Sequence, residues 1–295
     1  MKNIVYKLAE DFNIEKNYKL FRIYQEMLNP IINKKKFEDI DLNLQDRKIM
    51  VRCFNLNKNK KKLIIYFHGG GWVTGSVNSY TNAISKLANN LDCMIIMPEY
   101  RLAPEYPFPA GFDDCFEVTK LILNNLDEIK VKKNDVILMG DSAGGNLAAA
   151  VSQKGLDTKD FRVNKQVLLY PALQSNYSND TKYTSVISNG NNYLITQKQI
   201  QDFMKHYIKD EKDYANPYVA PLLAKHLFGL PKTLIIVNEF DPLRDEGIAY
   251  AKKLRWHLVW SEYYVFEGAM HGFLTNILDR KYTKMAYLKI KEFIK

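Results

Sequence analysis

The chain has 295 residues, with 42 Lys and Arg against 33 Asp and Glu, a formal net charge of +9, 46% apolar residues and 25% charged residues. That balance is ordinary for a globular domain and excludes an intrinsically disordered chain, which combines low hydrophobicity with high charge. At this length roughly three quarters of the unfolded surface can be buried without a disulfide or metal staple. One large domain, or one domain carrying an insertion, is expected.

No run approaches the roughly 18 apolar residues of a membrane span. Lys7, Glu10 and Asp11 interrupt the N-terminus before an apolar signal segment can form, so a cytoplasmic protein is expected. Cys53, Cys93 and Cys115 form no C-x-x-C pair, which argues against zinc and thiol-redox chemistry. The positive charge is mostly Lys in short runs such as Lys34-Lys35-Lys36 and Lys60-Lys61-Lys62. With no Arg-rich or aromatic-interleaved module beside it, it reads as solvated surface rather than a nucleic-acid face.

In chain order, residues 1–36 show helical periodicity. Ile4, Leu8 and Phe12 form one stripe, and Phe21, Tyr24 and Leu28 another that stops at Asn29-Pro30. Phe37 to Leu44 and Lys48 to Phe54 read as a hairpin around Gln45-Asp46-Arg47. Six short apolar runs follow, beginning at Leu63, Met94, Val136, Val167, Leu234 and Tyr263. Runs this uniformly apolar suit strands buried on both faces. Helical segments separate them: Ala83 to Asn90, Phe112 to Leu126, Asn146 to Gln153 and Asp245 to Leu258. The expected fold class is α/β, a doubly wound, mostly parallel sheet of eight strands. Between Tyr170 and Leu234 lie about 60 residues, too many for an ordinary crossover. That interval holds a helical pattern at Thr196 to Ile208, with Ile200, Phe203, Met204 and Tyr207 on one side. Three parts are therefore expected: N-terminal cap helices (1–36), a main α/β domain (37–174 and 232–295) and a cap insertion (175–231).

Gly140-Asp141-Ser142-Ala143-Gly144-Gly145 stands between a strand and a helix. A G-x-S-x-G in that setting is a nucleophile elbow, a strained turn that lifts the Ser142 hydroxyl above the sheet. His68-Gly69-Gly70-Gly71-Trp72 follows the Leu63 strand. Its glycines allow main-chain amides to converge on a developing oxyanion, joined by the amide of Ala143. A phosphate cradle is the rival use of such glycines, but no G-K-[ST] or G-x-G-x-x-G is present. Five histidines could serve as base: His68, His206, His226, His257 and His271. Only His271 follows the last strand at the catalytic edge of an open sheet. Asp241, in the loop after the Leu234 strand, is the acid expected to orient it. Asp245 and Glu246 fall in the next helical turn, where helix-dipole compensation explains them. The order Ser142, Asp241, His271 is that of α/β-hydrolases.

With these residues placed, the chain resembles the bacterial hormone-sensitive-lipase-like esterases of the α/β-hydrolase superfamily. The likeness runs from about residue 60 to the C-terminus. It rests on His68-Gly-Gly-Gly-Trp72, Tyr100-Arg-Leu-Ala-Pro-Glu105, Gly140-Asp-Ser-Ala-Gly-Gly145, Asp241-Pro-Leu-Arg-Asp-Glu246 and His271-Gly-Phe273. The resemblance implies a helical cap, and a serine carboxylesterase acting on short- to medium-chain acyl esters. It also implies oxyanion amides from Gly70 and Gly71, and neither metal nor organic cofactor. The expected partner is a small-molecule ester, with no nucleic acid and no membrane span; oligomeric state is left open. An amidase on the same scaffold, or a ligand receptor derived from it, are the alternatives. One departure is that Arg255-Trp256-His257-Leu258-Val259 lacks the glycine that usually ends the helix before the final strand.

Overall fold

The computed structural model describes residues 13–30, 37–56, 61–191, 193–276 and 279–295. The expected Ile4, Leu8 and Phe12 stripe lies outside these residues. Eight strands form one sheet in the order β1-β2-β4-β3-β5-β6-β7-β8. The hairpin β1 (Glu38–Asn43) and β2 (Lys48–Phe54) is antiparallel, and β2 also pairs antiparallel with β4 (Met94–Pro98). The remaining pairs are parallel and join β3 (Leu63–Phe67), β4, β5 (Val136–Asp141), β6 (Lys165–Leu169), β7 (Lys232–Phe240) and β8 (Ser261–Met270). The eight strands form where the apolar runs place them, mostly with a residue or more added at the ends.

Every residue of β3, β4 and β5 is buried. Alternate side chains of β3 feed two cores, as a period of two requires. Leu63, Ile65 and Phe67 pack with Phe112, Phe116 and Leu147 of helices α3 (Ala110–Asn124) and α4 (Ala143–Asp157). Ile64 and Tyr66 pack on the other face with Ile84 and Leu87 of α2 (Val77–Leu91). A C-terminal helix not among the expected elements, residues Arg280–Ile294, completes that second layer through Ala286, Ile290 and Ile294. The four-residue spacing of those apolar positions is the signal that marks it.

The N-terminal helix α1 (Ile14–Leu28) buries a different stripe from the one expected. Phe21 packs against the core, but Tyr24 is 40% and Leu28 59% exposed. The face turned inward is Ile14, Tyr18, Phe21, Arg22 and Gln25. Its polar members are there because loop carbonyls and amides meet them. In the long interval, α5 (Thr184–Ser188) precedes α6 (Gln197–Tyr207), whose start is fixed by a reciprocal Thr196–Gln199 capping box. Ile200, Phe203, Met204 and Tyr207 are all buried, as their spacing requires.

Helix α7 (Arg244–Trp256) ends without glycine: Leu258 itself takes the left-handed conformation, φ 61°. Near the other end of α7, Glu246 does not face solvent at the helix start. It is fully buried, and its Oε1 accepts from the Leu173 amide at 2.6 Å and the Tyr177 hydroxyl at 3.0 Å. This ties α7 to the chain leaving β6. Burial pushes its carboxyl up to about 8 from an ordinary value of 4.5. Between those two values the folded chain holds a proton that the unfolded chain lacks, so stability falls as pH rises across that window. In Glu246→Gln, which keeps the shape and the acceptor, the decline in thermal midpoint from pH 5 to 8 should be visibly shallower. Equal slopes in the two proteins would remove Glu246 from this account.

Candidate active site

Strand β5 ends at Asp141 and α4 starts at Ala143, leaving Ser142 alone to turn the chain. It does so at φ 55° and ψ −120°, a conformation that costs a non-glycine residue on the order of 1–3 kcal/mol. The turn is tight enough that a Cβ on Gly140 would lie 2.1 Å from the Gly144 carbonyl oxygen. Neighbouring strands hold it. The Ser142 amide donates to the Leu169 carbonyl at 2.8 Å, and the Ser142 carbonyl accepts from the Ala172 amide at 3.2 Å.

His271 follows the last residue of β8, and Asp241 the last residue of β7. The structure brings both to Ser142. His271 Nε2 lies 2.9 Å from Ser142 Oγ, and His271 Nδ1 lies 2.8 Å from Asp241 Oδ2. A carboxylate only accepts, so Nδ1 carries the proton and Nε2 presents its lone pair to the hydroxyl. Asp241 is fully buried, and its Oδ1 accepts from the Leu243 amide at 2.9 Å. The neighbouring acids face elsewhere. Asp245 accepts from the Ser185 amide and the Thr184 hydroxyl, and Glu246 holds the Leu173 segment.

The other histidines lie apart from this group. His68 is buried with Nδ1 2.8 Å from the Gly69 carbonyl and its ring stacked on Tyr100. Burial pulls it down to about 4, so it is neutral at pH 7. His206 sits beside Tyr18 of α1, His226 is exposed, and His257 lies at the end of α7.

The glycine loop turns at Gly70 and Gly71, with φ 116° and 60°. Among the described residues, the amides of Gly70, Gly71 and Ala143 meet no hydrogen-bond acceptor. Gly69, expected beside them, requires a correction. Its amide donates to Asp141 Oδ1 at 2.9 Å and to the Tyr80 hydroxyl at 3.1 Å, so it is consumed inside the protein.

The same carboxylate organises the surroundings, a role that no motif in the sequence announces. Asp141 accepts from the Tyr66 hydroxyl at 2.7 Å and the Tyr80 hydroxyl at 2.9 Å, with the Tyr170 hydroxyl at 3.4 Å. Burial raises its carboxyl above the usual range while the tyrosine donors oppose that rise. Tyr170 also sets its ring edge-on to His271, with centroids 4.9 Å apart, and its hydroxyl accepts from the Leu274 amide. Asp141 lies within the Gly140 hexapeptide, but partners at positions 66, 80 and 170 share no spacing that a sequence could reveal.

Helix α1 grips the glycine loop from outside. Arg22 donates to the carbonyls of Val73 (2.7 Å) and Ala103 (2.8 Å) and pairs with Glu105, while the Gln25 side chain accepts from the Gly75 amide. From α6, the Phe203 ring covers Gly71 so closely that a Cβ there would fall 2.3 Å from it. Among the described residues no cluster of three or more His, Cys, Asp or Glu side chains could hold a metal ion, and no helix is long and apolar enough to cross a membrane.

Replacing Asp141 by Ala leaves the Tyr66 and Tyr80 hydroxyls buried without their acceptor and the Gly69 amide with the Tyr80 hydroxyl alone. Urea unfolding should register a loss of at least about 2 kcal/mol. A variant as stable as the parent would show that the carboxylate does not anchor the loop.

The comparisons with known proteins agree with this architecture. A family described as alpha/beta hydrolase fold matches residues 64–275. An arylesterase of Saccharolobus solfataricus is 34% identical over 261 residues, covering 87% of this chain and 83% of that protein. The carboxylic ester hydrolase LipN of Mycobacterium tuberculosis is 35% identical over 72% of this chain, which spans 57% of LipN. The solved hyperthermophilic esterase from the archaeon Pyrobaculum calidifontis is 30% identical with a TM-score of 0.85, covering 98% of this chain and 97% of that one. With that sheet order and those relatives, the chain belongs to the alpha/beta hydrolase fold family, among its hormone-sensitive-lipase-like carboxylesterases, and is a carboxylic ester hydrolase.

Proposed function

We propose that Ser142, His271 and Asp241 form a catalytic triad that hydrolyses short- to medium-chain acyl esters through an acyl-enzyme. The observation that carries this reading is the unbroken pair of contacts, 2.9 Å from Ser142 to His271 and 2.8 Å from His271 to Asp241. Ser142 Oγ attacks the ester carbonyl carbon while Nε2 takes the hydroxyl proton. The carbonyl oxygen becomes an oxyanion, met by the amides of Gly70, Gly71 and Ala143. Each such donor lowers the barrier by about 3 kcal/mol. Collapse breaks the ester C–O bond, and the imidazolium returns its proton to the departing alcohol. Water then attacks the acyl-enzyme and gives a proton to Nε2; the acyl C–Oγ bond breaks, Oγ takes that proton back, and the acid leaves. Asp241 remains ionised throughout and holds the imidazole in its working tautomer.

In this reading α1 and residues 175–231 form a cap over the site. The Phe203 ring against Gly71 supports a bounded acyl pocket, because it walls the loop that would face the substrate carbonyl.

A fluorophosphonate should label the parent protein at one serine, and Ser142→Ala should abolish both labelling and turnover of p-nitrophenyl esters. Labelling that persists in the variant removes Ser142 as nucleophile. Across p-nitrophenyl esters from acetate to palmitate, kcat/KM should peak at short to medium chains. A higher rate on emulsified long-chain triglycerides contradicts the bounded pocket, and faster cleavage of a matched amide supports an amidase instead. Phe203→Ala should raise the octanoate-to-butyrate ratio of kcat/KM by roughly 10-fold, since each added methylene that finds room contributes appreciably to binding.

A further inference from the structure

We infer that Asn238 is a positioning residue whose side-chain amide locks the loop carrying His271 to the carboxylate of Asp241. The inference rests on the triad reading above and concerns how that triad keeps its geometry.

The need for such a lock arises in the sheet. Strands β7 and β8 run in parallel register as far as Asn238 opposite Phe266, and the next pairing is Phe240 opposite Met270. Strand β7 advances two residues while β8 advances four, so β8 bulges just before His271. A bulge interrupts the ladder of backbone hydrogen bonds at that point. Two adjacent side chains of β7 replace what is lost. Glu239 Oε2 accepts from the amide of Gly268, inside the bulge, at 2.7 Å; Gly268 itself has φ 75°. Asn238 Nδ2 donates to the carbonyl of Met270, the residue before His271, at 2.9 Å, and reaches Asp241 Oδ2 at 3.3 Å. That oxygen is the one that accepts from His271 Nδ1. One buried amide thus touches both the acid and the backbone that aims the base.

The rest of this side chain is unfavourably placed for stability alone. Asn238 is fully buried, and its Oδ1 has no hydrogen-bond partner among the described residues. An unpaired buried carbonyl opposes folding, so the residue's contribution lies in what its N–H groups hold. The ionisable groups that interact electrostatically with the His271–Asp241 pair are Asp141 from β5, Tyr170 after β6, Tyr177 beyond it and Glu246 from α7, while Glu239 is turned to the Gly268 amide. None of them donates to Asp241 Oδ2. Withdrawing the Asn238 donor leaves more negative charge on that oxygen, which favours the protonated imidazole and moves the acid limb of kcat/KM to higher pH.

The test uses the full chain with Asn238→Leu, which keeps the shape but donates nothing, and Asn238→Ala. Both are assayed on p-nitrophenyl butyrate well below their melting midpoints. The expected result is a kcat about 10- to 100-fold below the parent, because small errors in aim are costly at a reacting centre. KM should stay within about twofold, since substrate contacts are untouched. The acid limb should shift upward in pH in both variants. A kcat within about twofold of the parent overturns the inference. So does a loss of rate that tracks the unfolded fraction with the acid limb unmoved, which is the signature of packing alone. Fluorophosphonate labelling separates the two layers. A parent that does not label at Ser142 sinks the triad reading and this inference with it, whereas a labelled parent with unaltered variants sinks this inference alone.

Discussion

A single buried carboxylate, that of Asp141, is the point on which three separate stretches of chain agree. Its oxygens collect the Tyr66 hydroxyl from β3, the Tyr80 hydroxyl from α2 and the Gly69 amide from the loop between them. A carboxyl group this deep is tolerated only when donors surround it, so Asp141 and its tyrosines stand or fall together. Asp141 is also the residue immediately before Ser142. The glycine loop is therefore registered against the elbow by hydrogen bonds rather than by general packing. Through Tyr170, which reaches the same carboxylate and lies edge-on to His271, the cluster extends to the third segment of the site.

Around that anchor the site is assembled from backbone that departs from regular geometry. Ser142 sits at positive φ, the glycine loop turns at Gly70 and Gly71, and β8 bulges ahead of His271. Each departure forfeits backbone hydrogen bonds or conformational ease, and each is compensated nearby. The Leu169 carbonyl and Ala172 amide hold the elbow, Asp141 holds the loop, and Asn238 with Glu239 holds the bulge. Strain concentrated at a site and supported by its surroundings is how a fold keeps reactive groups preorganised.

The outer layer is attached by different physics. Helix α1 buries Ile14 and packs Phe21 on the core, and its polar contacts with the body run through Arg22, Gln25 and Glu26, whose partners are the loop carbonyls, the Gly75 amide, Glu105 and Ser76. It meets α6 through Glu15 beside Lys198 and Lys205, and through Tyr18 against His206. The polar contacts are partly solvated, so each contributes less than a buried one. The aromatic contacts of α6, with Tyr207 stacked on Trp72 and Phe203 over Gly71, are apolar and closed to water. Helix α6 is thus fastened to the loop more firmly than α1 is.

Much of this was legible in the residues alone. Fully apolar strands of five or so residues imply a sheet covered on both faces, and the Gly140 and His68 motifs announce their turns, because local sterics dictate glycine there. The proposed Ser142, Asp241 and His271 were recoverable because each follows a strand, and parallel strands deliver their C-terminal ends to one edge. What stayed hidden depends on meetings between distant positions. Tyr66 and Tyr170 belong to apolar runs, Glu246 reads as a helix-dipole acid and Gly69 as a free donor, while Tyr80 and Asn238 carry no signal. Their partners are set by strand order and by a bulge, and neither leaves a trace in local spacing. Sequence determined which segments could form and where the chain must bend; only the tertiary structure decided which buried polar atoms find each other, because that choice follows from three-dimensional packing rather than from neighbours along the chain.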